Sequence, residues 1–491
     1  MNTAKELKPY ERWQPSARRA LKRTLLLGLL ALGLIQHQAF GGAVLTSLFS
    51  FDGTNGAMPE ASLAQGSDGA LYGTTIAGGT NGISNGGDGT VFRITTNGTF
   101  TTLAFPDRAF AASPQAGLVE GSDGSLYGTT LFGGLRDWGV VFKISFEGAF
   151  ATVASLQWPD AEYANGLVEG PLGLFYGTAY YGGTNGGHGS VFKVSTNGIV
   201  TPLAGFNGTN GAHPQAPLLR AKDGNFYDTT VEGGSNGGFG TVFKVTPAGD
   251  LTSMIGFNGT NGARPLGTLQ QDAMGTLYGT TSKGGIGFDG SSFSGNGTVF
   301  KITPTGELVT LHWLAGYPGD GASPVFGALA WGTDGNLYGT TEGGGAYGGG
   351  AILRISPDGA SSLIYSFSAP VYPGVTNLDG YAPSGGLVRA NDGSFYGATA
   401  QGGLSGKGTI FRLTLTPDPP KLRVSASPGD AISLSWDTVK GKRYHLQRSA
   451  DLQPGSWGDL GAVITATNTT ATASDALAPA GHRFYRIVVL E

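Results

Sequence analysis

The residues able to carry chemistry are few, and they form no complete catalytic or metal-binding set. The chain has no cysteine and six histidines: His37, His188, His213, His312, His445 and His482. Thiol nucleophiles, disulfides and cysteine-ligated zinc are therefore excluded. No histidine stands at a ligand spacing from another, so each reads as a packed or solvated side chain. There is no Gly-x-Ser-x-Gly elbow. The glycine-rich stretches fall between short β-type segments, not at the strand-to-helix turns that hold phosphate. The segments 51–56, 206–211 and 257–262 share an Asn/Thr/Gly pattern, but only the first has a carboxylate, Asp52. They read as turns and not as calcium loops. The Asn-Gly-Thr sites at Asn97, Asn207, Asn258 and Asn296 also read as turns. No cofactor and no metal are expected.

Carboxylates and aromatics remain. Asp137, Asp160, Glu162, Glu232, Asp289, Asp320, Glu342 and Asp379 lie in variable segments. A pair of them at a defined separation would suit a polysaccharide hydrolase or lyase. Phe110, Tyr180, Tyr347 and Tyr372 lie in the same segments. So do the stronger candidates Phe132, Trp138, Trp158, Tyr163, Tyr181 and Tyr317. Flat rings can stack on the apolar faces of sugars, and they can equally pack between strands. With Asp228 and Glu232, these six are the expected ligand contacts; catalytic residues are not assigned.

Seven repeats position these residues. Leu71-Tyr72-Gly73-Thr74-Thr75 returns around Tyr127, Tyr176, Tyr227, Tyr278, Tyr338 and Tyr396, at intervals of 55, 49, 51, 51, 60 and 58 residues. An Asp-Gly turn such as Asp68-Gly69 precedes most copies. A Gly-Gly pair and an apolar strand such as Val91-Phe92-Arg93-Ile94 follow. Each unit reads as strands a (about 59–67), b (71–76), c (90–95) and d (100–105), joined by glycine turns that accept positive φ. Such a period suggests a seven-bladed β-propeller over residues 42–414, because one unit is too short to close its own core. The seventh unit lacks strand d, and residues 44–51 resemble one. Docked beside Ile410-Phe411, this N-terminal strand would close the ring and cover an exposed edge.

Alternating strand direction puts the short a–b and c–d turns on one face and the long, variable b–c and d–a loops on the other, where binding tends to reside. Three columns stand out. The residue five after each tyrosine is unrestricted: Ala77, Phe132, Tyr181, Glu232, Lys283, Gly343 and Gln401. Strand c always carries a cation: Arg93, Lys143, Lys193, Lys244, Lys301, Arg354 and Arg412. Each is either a snorkelling stem or a partner of an Asp-Gly turn. Asp228 replaces the glycine that follows the tyrosine in the other six units. There it must be partly exposed to the central channel or held by a partner.

Residues 1–41 look like a signal peptide, with seven basic residues before the apolar run 24–35 and small residues near Gly41. Its removal leaves 23 basic and 32 acidic residues, a net charge of −9. That speaks against nucleic acid as a partner. No second apolar segment suggests a membrane span, so the expected localisation is exported: extracellular, surface or periplasmic. Residues 415–421 read as a Pro-rich linker. Residues 422–491 alternate as half-buried strands around Trp436 and resemble a small fibronectin type III-like β-sandwich.

The repeat text resembles the GloVer tandem-repeat family of exported bacterial proteins, through Leu277–Thr281, Gly284-Gly285 and Gly297–Ile302. The resemblance covers residues 44–414. It implies an exported or surface-associated protein and assigns no catalytic residues. The resulting expectation is an all-β, non-catalytic binding or scaffold protein whose partner is a glycan or an envelope protein. The rival is a polysaccharide-active enzyme.

Overall fold

The computed structural model describes residues 35–38 and 42–490, apart from 81–86, 105, 108–109, 325–328, 373, 416–421, 428–430, 439–440, 452, 454 and 477–482. Residues 416–421 of the proposed linker, and most of the proposed signal peptide, lie outside the described residues; Leu415 ends the strand Thr409–Leu415. So do Arg108, His482 and most of the loop 80–88. Leu45–Thr414 belong to one compact unit and Leu415–Glu491 to another. The protein is all-β; one short 3-10 turn, Pro171–Gly173, is the only helix among the described residues.

Among the described residues, seven antiparallel sheets follow the seven sequence repeats, each in the order a-b-c-d. In the first unit the strands are Ala64–Gln65, Leu71–Thr75, Thr90–Ile94 and Phe100–Ala104. Strand a is thus far shorter than its pattern suggested. It is two residues long here and eight, Glu162–Glu169, in the third unit. The proline that opens the segment in six units has no N–H to donate to a ladder. Strands b and c are buried almost throughout, as in Leu71–Thr75 and Thr90–Ile94.

The sheet of the last unit is completed from the N-terminal end of the chain. Ala43–Ser50 lies beside Thr409–Leu415, and Ile35–Gln38 adds an outermost strand. The N-terminal strand therefore takes the missing d position but is not the edge. Phe51 N–H donates to Gly408 O at 3.0 Å, and Leu404 N–H donates to Ser50 Oγ at 2.9 Å.

Each repeat tyrosine works across two units. Its ring packs on an aromatic of the next unit in five cases, as in Tyr127–Phe175 (4.1 Å between centroids) and Tyr176–Phe226 (4.3 Å), and beside a leucine for Tyr227 and Tyr396. In the five units with an Asp-Gly turn its hydroxyl donates to the turn aspartate, as in Tyr72–Asp68 (2.9 Å), Tyr227–Asp223 (2.8 Å) and Tyr396–Asp392 (2.6 Å). A buried tyrosine needs such an acceptor. The turn aspartate thus anchors the tyrosine as well as shaping the hairpin. Burial, then the aspartate, pushes Tyr72 up to about 12, while these hydrogen bonds help hold Asp223 down at about 2. The cation column meets the turn aspartate in two units, Arg93–Asp68 at 2.8 Å and Lys244–Asp223 at 3.4 Å. Lys301 and Arg412 instead donate to Pro357 O (3.0 Å) and Thr96 O (3.4 Å) of the next unit.

A second contact joins consecutive units at the backbone. Met58, Ser113, Tyr163, His213, Arg264, Ser323 and Ala382 open the strand-a segments, and all have φ between 52° and 57°. Non-glycine residues rarely adopt this conformation, at a cost of roughly 1–3 kcal/mol each. Every one donates its N–H to the preceding unit: to Lys407, Asp88, Trp138, His188, Phe239, Asn296 and Gly349 O respectively, at 2.8–3.2 Å. In several units its own carbonyl accepts from the end of strand b, as in Leu131 N–H to Ser113 O. The circuit includes the bond from the first unit back to the last, Met58 to Lys407. The glycine after each acceptor allows the approach. A Cβ on Gly189 or Gly240 would lie 2.7 Å from Cδ of Pro214 or Pro265 in the next unit.

In the second compact unit, one sheet contains Leu422–Ser427, Ala431–Asp437 and Thr470–Ala476. Another contains Arg443–Ser449, Gly458–Asp459, Ile464–Thr465 and Phe484–Leu490. Leu434 and Trp436 of the first share a core with Tyr444 and Leu446 of the second. Asp475 gathers Arg448 (2.9 Å), Arg483 (2.6 Å) and the Tyr485 hydroxyl (2.9 Å). These hydrogen bonds hold its carboxyl low against the opposing effect of burial.

Deleting Val44 to Phe51 strips a covering strand from the last sheet and removes the buried Leu45 and Phe51. A marked drop in melting temperature is expected with secretion retained; an unchanged melting temperature would reject the pairing.

Candidate functional site

Three of the sequence-predicted aromatics converge. Phe132, Tyr163 and Tyr181 line a pocket of about 250 Å³ with Tyr180, Gln115, Asn165 and Gln215. The rings form a chain: Phe132–Tyr163 at 5.6 Å, Tyr163–Tyr181 at 6.0 Å and Tyr180–Tyr181 at 4.7 Å, all edge to face. His213 continues it, stacked on Tyr180 at 4.5 Å, with its Nδ1 3.1 Å from Tyr180 O. Tyr163 and His213 are left-handed residues, so the seam between units sets where their side chains leave the backbone.

The amides come from strand-a segments. Gln115, Asn165 and Gln215 also line an adjoining cavity of about 170 Å³ with Ser62, Pro217 and Thr268. Asn165 Nδ2 donates to Pro214 O at 2.6 Å. Glu60 stands two residues after a left-handed residue, as Gln115, Asn165 and Gln215 do. Burial raises its carboxyl; a hydrogen bond with Gln115 opposes the shift and the nearby Glu342 adds to it. Desolvation also raises Glu342, with Lys283 opposing. Sequence reasoning missed Glu60 and the three amides. Their signal was a polar residue recurring after the strand-a opening, in a segment read as ordinary inward strand.

The other candidates lie apart from this pocket. Glu232 pairs with Arg264 at 3.0 Å; neither lines the pocket, though Glu232 adds to and Arg264 opposes the rise that burial gives Tyr180. Trp138 is half-buried, and its carbonyl accepts the Tyr163 N–H at 3.2 Å; its ring is not among the lining residues. Trp158 is 48% exposed on a separate loop, and Tyr317 is 68% exposed beside Gly348. Several loop carboxylates hold their own loops. Asp379 accepts from Tyr365 (2.8 Å) and Ser368, Asp320 binds His312 and the Ala315 amide, and Asp137 accepts from the Gly133 amide. The Asn/Thr/Gly loops are asparagine-built turns; Asn207 Oδ1 accepts the Asn210 N–H (3.0 Å) and the Thr209 hydroxyl (2.9 Å).

Asp228 meets neither sequence expectation. It is fully buried, and neither carboxyl oxygen has a hydrogen-bond partner. It pairs across the ladder with Phe243. At the equivalent Gly73, a Cβ would lie 2.4 Å from Phe92 Cζ and 2.7 Å from Leu63 Cδ2, an apolar layer. Burial pushes the carboxyl well above the ordinary range, with the Thr229 amide opposing. The site thus favours the uncharged form of the carboxyl, and burying it without a partner is destabilising. A folded-state pKa above the unfolded value means stability is lost as pH rises from about 4 toward the folded pKa. Asp228→Gly is expected to raise stability by about 1–3 kcal/mol at low pH, with an advantage that widens as pH rises from 4 to 7. Chemical denaturation at several pH values measures this. An advantage independent of pH would show that the carboxyl ionises in place.

Comparison with known proteins bears on the whole repeat region. No curated protein matches the chain. The periplasmic gluconolactonase of Pseudomonas aeruginosa is similar at 15% identity, covering 84% of this chain and 99% of that one, with a TM-score of 0.44. A gluconolactonase of Xanthomonas campestris is similar at 14% identity, covering 78% and 94%, with a TM-score of 0.39. An ulvan lyase is similar at 9% identity, covering 82% and 93%, with a TM-score of 0.39. The family model described as the Gloeobacter/Verrucomicrobia repeat matches residues 31–185, 80–293 and 287–427. With three overlapping matches across the repeat region, this chain belongs to the Gloeobacter/Verrucomicrobia repeat family.

Proposed function

We propose that the protein is an exported, non-catalytic binding module whose repeat region is a seven-bladed β-propeller closed by its N-terminal strand. The seven sheets, their circuit of backbone bonds and the strand 43–50 support the architecture. The two sheets around Trp436 support a fibronectin type III-like module after it. Export rests on the basic residues and short apolar run of residues 1–41. No helix among the described residues is long and apolar enough to cross a membrane.

The ligand is a neutral saccharide, of a glycan or a glycosylated envelope partner. One observation carries this reading: the pocket places three edge-to-face aromatics beside three side-chain amides. Rings offer flat apolar surface to a sugar face, and amides both donate to and accept from hydroxyls. A second reading, a saccharide-cleaving enzyme, is favoured by Glu60 and Glu342, two carboxyls that burial raises, with Glu342 adding to the rise at Glu60. Acid and base roles need carboxyls whose pKa values are separated by environment.

A glycan array with the secreted protein tests both readings. Retention on neutral oligosaccharides is expected, weakened about tenfold or more by Tyr181→Ala or Gln215→Ala and unchanged by Tyr317→Ala. Loss with Tyr317→Ala alone, or no retention at all, would contradict the binding reading. Shortening of the retained saccharide, abolished by Glu342→Gln, would replace it with the enzyme.

A further inference from the structure

The unrestricted column five residues after each tyrosine and the left-handed column come together across unit boundaries. Phe132 meets Tyr163 of the next unit with 5.6 Å between ring centroids, and Tyr181 meets His213 at 5.3 Å. Glu232 meets Arg264 at 3.0 Å, and Lys283 Nζ donates to Ser323 Oγ at 3.0 Å. Where the first member is small, so is the second: Ala77 precedes Ser113 in this order, and Gly343 precedes Ala382. Ring follows ring, guanidinium follows carboxylate, and small follows small; the closing pair is Gln401 and then Met58.

The backbone explains why the two columns must match. The first member pairs with the residue just before the left-handed position of its own unit, as in Ala112 with Phe132 and Ala263 with Lys283. The second member is fixed by its bond to the preceding unit. With both backbones held, only the side chains can vary, and they share one space. A mismatch leaves either a void or a clash.

We infer that these interlocked pairs are the specificity-determining positions of the channel mouth, and that a saccharide chain lies along the arc formed by Phe132–Tyr163, Tyr181–His213 and Glu232–Arg264. This rests on the saccharide reading above. The first two pairs present ring surface to successive sugars. The third presents a carboxylate and a guanidinium to hydroxyls, with the guanidinium stacked 4.6 Å from the Phe293 ring centroid. Tyr180 joins the two chemistries, since it stacks on His213 and feels both Glu232 and Arg264.

The test is a double-mutant cycle read two ways. Phe132→Ala, Tyr163→Ser and the double variant, which recreates the Ala77–Ser113 combination, are compared with the wild type by melting temperature and by retention on immobilised neutral oligosaccharides. Each single variant is expected to lower the melting temperature, and the double variant to lower it by less than the sum. Retention is expected to fall about tenfold in all three. Additive melting effects overturn the pairing. Wild-type retention by the double variant, with loss in Tyr181→Ala, overturns the extended arc while leaving the saccharide reading intact. If the wild type retains no saccharide, that reading and the arc both fail, and the melting cycle alone decides the pairing. Should the aromatic variants fail to fold, Lys283→Ala and Ser323→Ala give the same cycle at a hydrogen-bonded pair.

Discussion

One strained backbone position per unit, bonded to the unit before it, is the constraint on which the repeat region depends. A sheet of four short strands cannot bury both its faces alone, so each must dock on its neighbours. The left-handed residues do this with directional bonds. Each N–H reaches back to a b–c loop carbonyl at 2.8–3.2 Å, and the last such bond joins Met58 to Lys407. Their conformational cost is tolerated because the bonded surroundings over-determine it. Around the same seam stand the glycines that leave no room for a Cβ against the next unit's proline.

The candidate site is a by-product of this seam. The seam bond of the left-handed residue is made by its backbone, so its side chain type can differ from unit to unit. Tyr163, His213 and Arg264 use that freedom at the mouth, where they meet Phe132, Tyr181 and Glu232 of the preceding units. Tyrosine–aspartate bonds and ring stacking between units hold the sheets, as in Tyr72–Asp68 and Tyr127–Phe175. The mouth pairs decide what is presented. Asp228 departs from this division: it adds a carboxyl to an apolar layer without a partner, and nothing in the structure explains its choice.

Much of the framework was legible because repetition makes function and structure separable in one chain. The tyrosine phrase marked strand b, the glycine turns marked the hairpins, and the missing strand d pointed to residues 44–51. Strand a was read too long, because alternating apolar residues suggest a strand even where a proline and a left-handed residue prevent pairing. The left-handed column went unseen, since φ leaves no trace in a tyrosine or an arginine; the following proline in six units was its only mark. Phe132, Tyr163 and Tyr181 come together as the sequence alone could not show, since their convergence depends on which units adjoin. Gln115 and Gln215 were passed over because the short strand a leaves them outside the ladder, and Asn165 because it falls at a register shift within the long strand Glu162–Glu169. Trp158 and Tyr317 share the composition of the convergent aromatics and not their column.

Native-state hydrogen exchange of the seven left-handed amides tests the seam most directly. If those bonds close one continuous ring, the N–H groups of Met58, Ser113, Tyr163, His213, Arg264, Ser323 and Ala382 exchange only through a shared opening, with protection close to the global stability. Rapid exchange at Met58 and Ala382, with protection confined to the middle units, would contradict a closed ring and make the first and last sheets independent ends.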